Sequence, residues 1–130
     1  MRFVRLSVAA LLSGAVYCTP AGAAQECSQL PSSLQNAGIG QISSVSELQS
    51  LDEKLDGYLQ PCLQPVGAGN AEAICSNGKL AAEQVLRVVG RIDAAGRHNA
   101  VLANARMKSY RTGAALLERM KRLSADRTCS

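Results

Sequence analysis

Four cysteines, Cys27, Cys62, Cys75 and Cys129, constrain what this chain can fold into more than any other feature. They are separated by 34, 12 and 53 intervening residues, so none forms the close C-x2-C pair of a zinc site or a thioredoxin-like redox centre. An even number of cysteines in a short exported chain points instead to two disulfides. Disulfides form in oxidising compartments, and the N-terminus supplies a route to one.

Residues 1–24 have the build of a secretory signal peptide of bacterial style. Met1-Arg-Phe-Val-Arg5 is short and positive, Leu6 to Val16 is an apolar run of eleven residues, and Ala21-Gly22-Ala23 gives the small-residue cleavage pattern. The run is too short for a bilayer span, which takes about 20 residues. Cleavage is expected after Ala23 or Ala24. Cys18 suggests a lipoprotein, but Tyr17 before it is bulky where such sites carry a small residue, so lipidation is not expected. Residues 25–130 then form one domain, periplasmic or secreted, with no transmembrane segment.

Hydrophobic periodicity predicts helices. Residues 25–41 are a lead-in with a short helix around Ser32 to Ala37. The first main helix covers about 44–60. Ser44 and Glu47 have the capping-box spacing, Val45, Leu48, Leu51, Leu55 and Leu59 share one face, and Pro61 ends it. A second helix covers about 79–95, with a further turn at Ala71 to Cys75 that Ser76-Asn77-Gly78 interrupts. Ala81, Val85, Val88, Val89 and Ile92 are its buried stripe, and Glu83–Arg87 and Asp93–Arg97 have the favourable acid-before-base spacing for ion pairs. With Gly96 as C-cap and Asn99 as N-cap, a third helix covers about 100–125. Its apolar face holds Leu102, Ala103, Met107, Tyr110, Ala114, Leu116, Leu117, Met120 and Leu123. No alternating run suggests a sheet. The expected fold is a small all-α, disulfide-stapled bundle of three main helices plus a short N-terminal helix.

In an up-down bundle the start of the second helix and the end of the third lie at one end, which favours Cys75–Cys129. Cys27 meets Cys62 if the lead-in folds back along the first helix. The nested pairing, Cys62–Cys75 with Cys27–Cys129, and the crossed one stay open.

Charge is divided unevenly. Glu26 to Glu83 carries seven acids and two bases, net −5, and Gln84 to Ser130 carries ten bases and three acids, net +7. Packing of the acidic first helix beside the basic later ones accounts for this most simply. A sharper alternative is an anionic partner for Lys108, Arg111, Arg119 and Arg122, which share a face of the third helix at 100° per residue. Export and the 3% aromatic content oppose nucleic acid as that partner.

Catalytic constellations are missing. His98, the only histidine, lies in the predicted turn Gly96-Arg-His-Asn99, so neither a multi-histidine metal site nor a haem attachment is expected. Asp52 and Asp56 share a helix face at i,i+4, which is common on solvated helices. No phosphate-cradling loop, nucleophile elbow or zincin motif is present. No cofactor and no enzyme activity are expected. The chain is expected to be an exported protein–protein interaction module, an accessory, adaptor, inhibitor or immunity-type protein. The alternative is a binder of anionic surfaces through the basic helix face.

Overall fold

The computed structural model describes residues 26–129; the expected signal peptide, residues 1–24 with Cys18, lies outside them. Four α-helices follow in chain order: α1 (Ser32–Gln35), α2 (Val45–Leu59), α3 (Gly78–Ala95) and α4 (Lys108–Ala125), with no strand among the described residues. This is a small all-α bundle stapled by two disulfides.

α2 starts where its capping box dictates. The Glu47 backbone N–H donates to Ser44 Oγ at 3.1 Å, and the Ser44 N–H donates to Glu47 Oε1 at 3.1 Å. Leu48, Leu51, Leu55 and Leu59 are buried along one stripe. Val45, predicted on that stripe, is 59% exposed, because its position in the first turn carries it off the edge of the core. Beyond Leu59 the chain tightens into a 3-10 turn, Gln60–Leu63, which accommodates Pro61 at its start.

The predicted interruption at Ser76-Asn77-Gly78 is absent. The chain winds through a π-helical turn, Ala73–Asn77, directly into α3. Asn77 anchors that turn by donating its side-chain amide to Cys27 O at 3.0 Å. The buried Gly78 follows, where an added Cβ would stand 3.3 Å from Met120 Sδ.

The third main helix is shorter than predicted. It begins at Lys108, not near Ala100, so Leu102, Ala103 and Met107 precede it. Asn99 does not cap it. The Asn99 side chain accepts the Val101 N–H at 2.9 Å and donates to Ile42 O at 2.9 Å, which turns the chain and ties it to the lead-in. Residues 96–107 then form a connector of successive turns. Gly96 does end α3, but with right-handed backbone angles. Its lack of a side chain serves close approach: a Cβ there would meet Leu102 O at 3.1 Å and Ala103 Cα at 3.2 Å.

α3 and α4 form the most extensive helix–helix contact, and α2 packs across both. Leu55, Leu59, Val85, Val88, Ile92 and Leu116 are the heart of the core. Gly113 lets α4 come close, with room for a Cβ only 3.4 Å from Leu86 and 3.6 Å from Leu59. The lead-in closes the other flank of α3. Leu30, Ile39 and Ile42 are buried there, and the Leu30 N–H donates to Gln84 Oε1 at 2.8 Å.

The disulfides are Cys27–Cys62, with 4.7 Å between Cα atoms, and Cys75–Cys129, with 5.4 Å. This is the pairing that hairpin geometry favours. The first staples the lead-in to the end of α2; the second joins the entry of α3 to the exit of α4. They close loops of 35 and 54 residues, which on loop entropy alone stabilises the fold by about 4 kcal/mol each.

Candidate functional site

The four basic residues singled out on α4 do not form one free surface. Arg119 is half-buried and used by the fold. Its guanidinium donates to Cys62 O at 2.7 Å and to Gln64 O at 2.6 Å, fastening the turn after α2. Lys108 keeps an exposed side chain, yet its Nζ lies 3.7 Å from Asp56 Oδ2. Arg111 and Arg122 alone of the four are exposed and without a side-chain hydrogen bond or ion pair among the described residues. Helical periodicity places all four on one side of α4. It does not show that part of that side faces the end of α2.

The carboxylate pair of α2 is also structural. Asp52 accepts the backbone N–H groups of Lys108 and Ser109, each at 2.8 Å, and so caps α4 from another helix. Asp56 is buried. It accepts the Thr112 hydroxyl at 2.6 Å and the Gln60 amide at 3.0 Å, beside Lys108. Together the two carboxylates and Arg119 lock α4 onto α2. Arg91 does the same for the lead-in, donating to Gln35 O at 2.6 Å and Ala37 O at 2.9 Å.

Two further expectations are corrected. Glu83–Arg87 and Asp93–Arg97 are not ion pairs; the salt bridge found among the described residues is Lys108–Asp56. Surface pairs of this kind gain little, so the side chains are free to separate. His98 lies exposed in the connector, with no side-chain hydrogen bond among the described residues. No group of three His, Cys, Asp or Glu gathers to hold a metal ion among them either.

What the sequence did not reveal is a cleft between the C-terminal half of α3, the connector and the start of α4. It encloses about 470 Å³ and has an apolar floor that includes Leu86, Val89 and Leu102. Gly90 leaves one stretch of the α3 wall without a side chain. Tyr110, predicted to be buried, stands at the cleft 53% exposed. Ala114 is exposed too. The buried stripe of α4 is narrower than the predicted face and runs through Ser109, Gly113, Leu116 and Met120. Steps of four, three and four turn Tyr110 out of the core and toward the α3 side. Asp93, Arg106 and Arg111 rim the cleft.

The two disulfides fit an oxidising compartment, and no described helix is long and apolar enough to cross a membrane. No protein-family model, curated protein or solved structure matches this chain.

Proposed function

We propose that the protein is an exported protein–protein interaction module, routed to the periplasm or beyond by its N-terminal segment, that presents the α3–α4 cleft to another envelope or secreted protein. It acts as an accessory, adaptor, inhibitor or immunity-type protein. The observation that carries this reading is Tyr110, a half-exposed aromatic at a cleft with an apolar floor, in a chain with few aromatics to spare. Tyrosine is enriched at protein interfaces because it offers a large rigid surface with a polar tip. The surrounding frame is held by two disulfides and by side-chain ties between distant segments, so docking loses little conformational entropy.

Binding of anionic surfaces is the second reading, and it rests on Arg111 and Arg122, the two of the four singled-out basic residues on α4 that are exposed and have no hydrogen-bond or ion-pair partner among the described residues. A pull-down from native envelope extract, with oxidised protein as bait and a rising salt gradient, separates the two. The interaction module retains a discrete protein at high salt. Lipid or polyanion released at modest salt favours the second reading, because exposed charges are screened beyond about 8 Å at physiological ionic strength.

A further inference from the structure

The α3–α4 cleft offers charge as well as apolar surface. Asp93 stands on its α3 rim, Arg106 on the connector and Arg111 on α4, and none has an ion-pair partner among the described residues. Arg91 and Arg119 show how this protein holds arginines that serve its fold, since each guanidinium grips two carbonyl oxygens. Arg106 and Arg111 make no such contact among the described residues. The rim therefore has two guanidinium groups against one carboxylate, on a stretch of chain that is net +7 from Gln84 onward. An acidic ligand is attracted to this flank and a basic one is repelled. The floor, meanwhile, gains only from an apolar group.

We propose that the cleft docks a segment of a partner protein carrying an aromatic or aliphatic side chain flanked by carboxylates. The apolar side chain packs on Leu86 and Val89 beside Tyr110, and the carboxylates pair with Arg106 and Arg111. This rests on the interaction-module reading and narrows it to one surface and one partner chemistry. The shape opposes a membrane as occupant. A bilayer takes protruding apolar groups, whereas this apolar surface is recessed, and the other exposed large hydrophobics, Val45, Leu63 and Leu80, lie elsewhere.

The test is photo-crosslinking in cells producing the full chain, with a benzophenone amino acid replacing Tyr110 or, in a separate variant, Val45. The expected result is a protein adduct at position 110, about tenfold weaker or absent at position 45, whose crosslinked peptide is rich in Asp and Glu. Combining Arg106→Glu with Arg111→Glu should lower the adduct at least about tenfold, since it sets like charges against each other across the interface. Should that double variant fail to form its disulfides, Arg106→Gln with Arg111→Gln gives a smaller loss in the same direction. Equal adducts at both positions, a basic crosslinked peptide, a lipid adduct or an adduct with a second copy of the chain would each overturn the proposal. If a stoichiometric protein still co-purifies in those cases, the interaction-module reading survives and the cleft assignment fails. No adduct and no co-purifying protein would overturn both.

Discussion

The carboxylate of Asp52 on α2 accepts the backbone N–H of Ser109 on α4 at 2.8 Å, across 57 residues of chain. Its second oxygen takes the neighbouring N–H of Lys108 at the same distance. The first turn of α4 has no side-chain cap of its own, so one carboxylate from another helix satisfies two of its orphan donors. Asp52→Ala should destabilise the protein by about 1–2 kcal/mol, the usual cost of losing a helix cap. Asp52→Asn should fall between the two, since it keeps an acceptor and loses the charge. Urea unfolding measures both, and a loss below about 0.3 kcal/mol for the alanine variant would show that the cap is not needed.

Arg119 and Arg122 should behave differently although periodicity places them on one face. Arg119→Ala strips the charged donor from two carbonyls and should cost about 1–2 kcal/mol, at the lower side of hydrogen bonds to charged groups because the site is partly exposed. Arg119→Lys should recover only part of this, since a point charge cannot fork to both oxygens. Arg122→Ala should stay within about 0.5 kcal/mol of the parent. Equal losses at the two positions would contradict their separate assignments.

These residues also show where local sequence stops being informative. The capping box of Ser44 and Glu47, and the leucine stripe behind it, involve neighbours within one or two turns, so α2 is readable directly. The disulfide pairing follows once the helices are laid in order, because each bridge closes one end of a hairpin. The start of α4 is not readable this way. Its cap is Asp52, 56 residues before Lys108, while Asn99 and the alanines after it resemble a helix start nearer by. Arg119 is misleading for the same reason, because the carbonyls it holds belong to the turn after α2. The cleft is not legible either, because Tyr110 reads as apolar in a periodic pattern, and only the narrow stripe from Ser109 to Met120 shows that it faces outward.

Ser109 contributes through its backbone alone. Its hydroxyl is buried and has no hydrogen-bond partner among the described residues. Ser109→Ala should therefore leave stability unchanged or raise it by up to about 1 kcal/mol, because it removes an unsatisfied polar atom while keeping the N–H that Asp52 accepts. Thermal unfolding of the two proteins under one condition decides this, and a clear drop in Tm would mean that the hydroxyl has a partner after all.

Acid should weaken the start of α2. Hydrogen bonds from Ser43, backbone first and then hydroxyl, with a smaller contribution from Ser44, hold the Glu47 carboxyl below the ordinary glutamate range. A depressed folded-state pKa adds stability that is complete above the unfolded value and lost as pH falls through the folded one. Between neutral pH and about pH 3 the parent should lose more stability than Glu47→Gln, which has no such proton to bind. Parallel unfolding curves across that range would rule out this linkage.

The most direct test of the docking account compares wild type with Tyr110→Ala as oxidised baits in the same native envelope extract. Tyr110 is half-exposed and lies outside the buried core, so circular dichroism and disulfide mapping should match the parent. A discrete protein should be retained on the wild type through high salt and lost from the Tyr110→Ala bait. Equal retention of that protein on both baits, or only lipid and polyanion released at modest salt, would contradict it.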